Sequence, residues 1–126
     1  MEKFKRGDIV YVDLGQHPNS SIQSGIRPCL VVSNNINNKY SPNLCVCPFS
    51  GKLKNNPVHV RVKPRDVDGY FMKESDCLVE QIVTIDKKKV MSKIGNIPDD
   101  SAVMREINKA LSLQLGINDI EKKEGK

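Results

Sequence analysis

The sequence predicts a mainly β domain, a small barrel or sandwich, with a single α-helix at its C-terminal end. Three observations carry this. Short β-branched and aromatic runs recur at close, even spacing between clusters of Gly, Pro and Asn, the pattern of barrels and sandwiches rather than of alternating βαβ units. Helical periodicity is present only once, near the end. The length of 126 residues suits one core, which at this size needs neither disulfide nor metal to fold.

Each element has its own local reason. Residues 8–14 are β-branched and aromatic between Gly7 and Gly15 and read as a strand. Residues 15–25 form a polar loop with Ile22 as its one apolar residue, too long for an ordinary hairpin and therefore functional or mobile. Residues 27–33 form a strand whose continuous apolar run implies burial on both faces; Pro28 fits only at its start and holds Arg27 extended. The Asn-rich stretch 34–43 has room for one helical turn before Pro42. A third strand, 44–49, leads into a turn at Ser50 and Gly51, and 52–57 is a flexible basic link. Residues 58–63 alternate strictly, sending Val58, Val60 and Val62 to the core and leaving His59, Arg61 and Lys63 as a basic outer strip. Further short strands are expected at 77–79, 81–85 and 90–94, with a turn at 86–89.

The helix starts after Pro98, Asp99, Asp100 and Ser101, which supply a cap and first-turn acids, and Gly116 ends it. Val103, Met104, Ile107, Ala110, Leu111 and Leu115 recur at helical spacing, and the stripe Val103/Ile107/Leu111 is assigned to packing. The chain thus reads as one domain, 1–117, with a charged, frayed tail at 118–126.

Hydrophobic residues make up 38% and charged residues 28% of the chain, with no apolar run of the roughly 18 residues a membrane span requires. No apolar stretch follows the charged N-terminus, so a signal peptide is not expected and the cytoplasm is the default, in keeping with four cysteines in no disulfide-like framework. The net charge of +5 is unevenly spread: residues 1–65 hold ten Lys/Arg against three Asp/Glu, residues 66–126 ten against twelve. Such asymmetry points to a polyanion such as nucleic acid, with solubilising lysine as the alternative.

Cys29, Cys45, Cys47 and Cys77 form no Cys-x-x-Cys pair, and Cys45 and Cys47 share one strand face, as packed thiols do; no metal and no cofactor is expected. Phosphate-cradling loops, nucleophile elbows and His-Glu-x-x-His helices are missing from the sequence. One reaction suits such a chain, the attack of an RNA 2′-OH on the adjacent phosphorus, in which the protein aligns oxygens, moves protons and stabilises charge. His17 and His59 are conceivable proton carriers, although their positions favour isolated surface histidines. Arg27, on its proline-stiffened platform, is either a phosphate-gripping guanidinium or a salt-bridged rim residue.

A family likeness runs through these same residues. Gly7-Asp-Ile-Val-Tyr-Val-Asp13, Gln23-Ser-Gly-Ile-Arg-Pro28 leading into Leu30-Val-Val-Ser-Asn34, Lys39-Tyr-Ser-Pro42, Cys45-Val-Cys-Pro-Phe-Ser50 and Glu80-Gln-Ile-Val-Thr-Ile-Asp86, in this order, resemble the MazF/PemK toxin endoribonucleases of type II toxin-antitoxin systems over about residues 5–116. The resemblance implies a small SH3-like (CcdB/PemK-like) barrel, a homodimer, and metal-independent, sequence-selective cleavage of single-stranded RNA to 2′,3′-cyclic phosphate and 5′-hydroxyl ends. It also implies a MazE-like antitoxin whose acidic segment occupies the RNA groove. By position it implies Arg27 and Ser50 as catalytic residues, Ser50 standing where the family usually has threonine. Gln23, Ser75, Glu80 and Gln81 would contact RNA. Arg61 of the basic strip, with Lys54 in the preceding link, could draw in the RNA backbone or the acidic antitoxin segment, or else guard a strand edge against aggregation. Ile22 stands where glutamate is common in the family, and Val83 where a basic residue is common. Two other readings stay open. One is a CcdB-like non-enzymatic gyrase poison, disfavoured by the lack of tryptophan and the charged C-terminus. The other is an RNA-binding module without turnover.

Overall fold

Apolar side chains of β1 (Asp8–Asp13) divide between two clusters, Ile9 facing one and Val10 and Val12 the other. This strand is therefore buried on both sides. In the computed structural model, which describes residues 3–71 and 73–117, the tail expected at 118–126 lies outside the described residues. β2 (Ile26–Val31) repeats the division, with Leu30 in the first cluster and Cys29 and Val31 in the second, all fully buried. Its continuous apolar run has the meaning expected of it.

All described strand pairs are antiparallel, in the order β4 (His59–Val62), β6 (Ser75–Leu78), β3 (Asn43–Ser50), β2, β1, β8 (Val90–Asn96), β5 (Asp68–Gly69), with β7 (Val83–Asp86) also on β3. β3 (Asn43–Ser50) is the pivot: Asn43 to Val46 pair with β7 (Val83–Asp86), whereas Phe49 and Ser50 pair with β6 (Ser75–Leu78). One strand edge thus serves two partners, which curls the sheet into an open barrel. β4 (His59–Val62) lies outside β6, and Val60 and Val62 enter the main core as the alternation requires. Phe49 and Phe71 meet edge to face in that core, with centroids 5.1 Å apart.

α2 (Ala102–Leu115) closes the core with Val103, Met104, Ile107 and Ala110, and Leu111 packs at its margin. The Ser101 hydroxyl caps the helix by accepting from the Met104 N–H at 3.1 Å, so Asp99 and Asp100 lie before the cap and no acid occupies the first turn. Leu115, expected on the apolar face, is exposed, and Gly116 ends the helix in the left-handed conformation at φ 64°. The short α1 (Asn35–Tyr40) fills the Asn-rich stretch, capped by the Asn34 side chain, which accepts from the Asn37 N–H at 2.8 Å.

Three local expectations change. Val79–Gln81 is a 3₁₀ turn, so Gln81 is not part of a strand and β7 starts only at Val83. β8 (Val90–Asn96) runs through Gly95, pairing with β1 and with the two-residue β5 (Asp68–Gly69). Pro64–Asp66 forms another 3₁₀ turn. Single turns and a two-residue strand carry no periodicity, so pattern reading passes over them. Gly7 is a fixed point: its φ is +95°, and a Cβ there would sit 2.5 Å from the Ile97 carbonyl oxygen. Its N–H donates to the Val31 carbonyl and its own carbonyl accepts from the Ile97 N–H, joining β2 to the segment that leads into α2.

Candidate active site

Arg27 and Ser50 sit at the same end of two neighbouring strands, Arg27 near the start of β2 and Ser50 at the end of the antiparallel β3. Loop 15–25 and the 79–81 turn wall off the space beside them, leaving a groove of about 470 Å³. Six expected site residues line it: Arg27, Ser50, Gln23, Lys54, Glu80 and Gln81. Ser75 and Arg61 do not. Ser75 is buried, with its hydroxyl donating to the Lys73 carbonyl at 3.2 Å.

The Arg27 guanidinium is exposed and donates only from Nε, to the Ser24 carbonyl at 3.2 Å. No carboxylate pairs with it among the described residues, so it is not a salt-bridged rim residue. Its forked end remains available for an anion. The Ser50 hydroxyl accepts from the Lys52 N–H at 3.2 Å and keeps its own proton to donate.

The basic strip of β4 is corrected by its surroundings. Arg61 donates from Nε to Asp76 at 2.6 Å and also reaches Glu74 at 3.4 Å. The Asp76 hydrogen bond, followed by its charge, raises the Arg61 pKa above the ordinary arginine value. This guanidinium is committed to its carboxylates. Asp76 is itself 1% exposed and stands opposite Ser50 in register, and its other oxygen accepts from the Lys54 N–H at 2.9 Å. The 52–57 link is anchored there, beside the Ser50 end of β3.

His59 differs most from expectation. Its side chain is only 6% exposed and lies between Glu80, 2.9 Å from Nε2, and Asp76, 3.9 Å from Nδ1. Since the nearer partner is an accepting carboxylate, Nε2 carries the proton. Alternation correctly sent His59 off the β4 core face, but only the approach of the 79–81 turn buries it. This half-buried His–Glu pair has no sequence signal, because His59 and Glu80 are 21 residues apart and no motif spacing links them. From sequence alone His59 is a surface residue. It is part of the groove wall.

The loop is latched from the same turn. Gln81 Oε1 accepts from the Gln23 N–H at 2.8 Å, and Gln81 Nε2 donates to the Ser21 carbonyl at 3.2 Å. Three buried polar atoms in this region have no hydrogen-bond partner among the described residues: Gln23 Oε1, His59 Nδ1 and Glu80 Oε1. Leaving such an atom unsatisfied costs about 1–3 kcal/mol, and a concentration of them in one groove marks a surface organised for a ligand rather than for stability.

The sequence matches the family described as PemK-like, MazF-like toxin of type II toxin-antitoxin system over residues 5–115. This chain belongs to that family. Endoribonuclease MazF of Staphylococcus saprophyticus is 33% identical to this MazF-like toxin over 116 residues, spanning 92% of this chain and 94% of the relative. Among solved structures, a mycobacterial endoribonuclease in complex with its cognate antitoxin aligns with a TM-score of 0.72 at 25% identity, covering 90% of this chain and 96% of that one. Deinococcus radiodurans MazF aligns with a TM-score of 0.75 at 20% identity, covering 92% and 99%, and supports the fold. Ile22 and Val83 are both exposed and line one further hollow of about 540 Å³ that shares Ile22, Gln23, Glu80 and Gln81 with the groove. No described helix is long and apolar enough to cross a membrane.

Proposed function

We propose that this MazF-like toxin endoribonuclease cuts single-stranded RNA without a metal, by attack of a 2′-OH on the adjacent phosphorus, leaving 2′,3′-cyclic phosphate and 5′-hydroxyl ends. The observation that carries this is one groove holding an arginine free of any carboxylate, a hydroxyl donor and a hydrogen-bonded His–Glu pair. The nucleophile belongs to the substrate, so the chain's task is to align it and to stabilise negative charge on the phosphorane. Arg27 supplies the balancing positive charge through its forked guanidinium, which is a poor base and a good phosphate ligand. Ser50 donates to a phosphate oxygen. Gln23, Glu80 and Gln81 offer amide and carboxylate groups for the edges of unstacked bases, which gives sequence selectivity, and Lys54 attracts the backbone. Arg61 and Ser75 support this set from behind, Arg61 by holding Asp76 and with it the Lys54 link.

The same reading makes the chain one cytoplasmic toxin domain over 1–117, working as a homodimer and restrained by a MazE-like antitoxin. Exposed Ile22 and Val83 beside an apolar hollow support self-association, and the mycobacterial relative was solved with its cognate antitoxin. The test is incubation of purified protein with a long single-stranded RNA in EDTA, with mapping of the ends. Discrete cuts bearing cyclic phosphate, slowed at least ~100-fold by Arg27→Ala, are expected. Bound but intact RNA would reduce the protein to a binding module. Inhibited supercoiling with untouched RNA would make it a gyrase poison.

A further inference from the structure

The positive charge that β4 spends on its own acids is found unspent at the opposite end of the sheet. There a hollow of about 650 Å³ is lined by Lys3, Lys5, Lys39, Lys87 and Lys93, with Phe4 among them and no acidic side chain. The Asp8 carboxylate is buried, 3.4 Å from Lys93 Nζ, and also accepts from the Lys5 N–H and from Asn96 Nδ2. The Lys87 ammonium rests on the Asn38 carbonyl at 2.7 Å and the Lys93 ammonium on the Lys3 carbonyl at 2.8 Å, contacts that orient the charges without neutralising them. Among the described residues, Lys3, Lys5 and Lys39 pair with no carboxylate. Among the described residues, only Lys93 of these five lysines has a carboxylate partner, whereas His59 and Arg61 of β4 each have acidic partners.

This hollow is separate from the groove of Arg27. The segment that carries Lys3 and Lys5 joins the far end of β2, through Gly7 N–H to Val31 and Arg6 Nε to Val32. Arg27 stands near the other end of the six-residue strand, about 13 Å from Val31 at the usual rise per residue. Aromatic rings lie close to two of the ammonium groups: Tyr40, largely exposed, 5.3 Å from Lys39 Nζ, and Phe4, 5.8 Å from Lys93 Nζ. Ammonium groups beside aromatic faces suit a nucleic acid strand, whose bases stack while its phosphates pair; a run of carboxylates would use only the charge.

We propose that this lysine hollow is a second RNA-backbone site, which holds single-stranded RNA beyond the segment in the cleavage groove. The inference rests on the ribonuclease reading above but is tested separately from it. In an Arg27→Ala background, binding of a long single-stranded RNA is measured against salt for the parent and for the double variant Lys5→Gln/Lys39→Gln, with circular dichroism confirming the fold. Loss of two phosphate contacts should lower the magnitude of the log–log salt slope by about 1.4 and weaken binding about 25-fold at 0.1 M salt, the difference vanishing near 1 M. With Arg27 restored, the double variant should cleave a short oligonucleotide confined to the cleavage groove at the parental rate, while kcat/KM on the long RNA falls. An unchanged salt slope overturns the proposal, as does loss of binding to a polyglutamate peptide with RNA binding intact. A parent protein that binds RNA without cutting it refutes the ribonuclease reading alone, because the slope comparison still reads the hollow.

Discussion

Replacement of Gln81 by Ala should unlatch loop 15–25 without unfolding the domain. The side chain makes two hydrogen bonds to the loop, accepting from the Gln23 N–H and donating to the Ser21 carbonyl. A neutral hydrogen bond contributes about 1 kcal/mol net, so losing both should favour the open loop by about 2 kcal/mol, a roughly 30-fold rise in its population. The base of the loop keeps its own bonds, Leu14 N–H to Gly25 and Gly25 N–H to Gly15. Amide hydrogen exchange reads the difference residue by residue. The Gln23 amide should exchange about 30-fold faster, while the Leu14 and Gly25 amides and the core strands stay as they were. Gln81→Glu keeps the acceptor and loses the donor, and should give about a 5-fold change at the same amide. If Gln23 exchange does not move, or if every amide moves together, the latch is not what holds the loop.

Gly7→Ala combines a left-handed backbone with a clash against the Ile97 carbonyl oxygen, and should destabilise the fold by more than about 1 kcal/mol in urea titration, whereas Gly15→Ala, also left-handed but with open space around it, should cost less. Met104→Ala should cost about 2–5 kcal/mol by the same measurement, since the side chain is fully buried where α2 meets the sheet. Burial, followed by the neighbouring Cys47, raises the Cys29 thiol from 9.0 to about 12. The folded state therefore keeps the proton that the unfolded chain releases first, so this contribution is complete below pH 9 and is lost as pH rises towards 12. Unfolding free energy should fall over that window, and less steeply in Cys29→Ala.

Much of the architecture was legible because it depends on local chemistry. Period-two alternation marked β4, the unbroken apolar run marked β2 as buried on both faces, and Ser101 and Gly116 bracketed α2. What escaped were elements defined by partners distant in sequence, such as the two-residue β5 against β8 and the 3₁₀ turn over Val79–Gln81, where strand-like composition is overridden by a tight turn. The site was legible in the same uneven way. Arg27, Ser50, Gln23, Glu80 and Gln81 were identified in ordered motifs and converge on one groove. Arg61 was placed on the correct face, yet face alone does not reveal whether a charge meets solvent or the carboxylate of Asp76.

The sequence by itself determined the family, the strand-rich class with its closing helix, and the catalytic candidates, because motif order, periodicity and capping are properties of neighbouring residues. The tertiary structure alone decided which charges are free. Net charge is a sum over the chain, but an ionic group acts according to what lies within a few ångströms of it. Folding placed Asp76, Glu74 and Glu80 against His59 and Arg61 of β4, left Arg27 without a carboxylate among the described residues at one end of β2, and gathered five lysines at the other end.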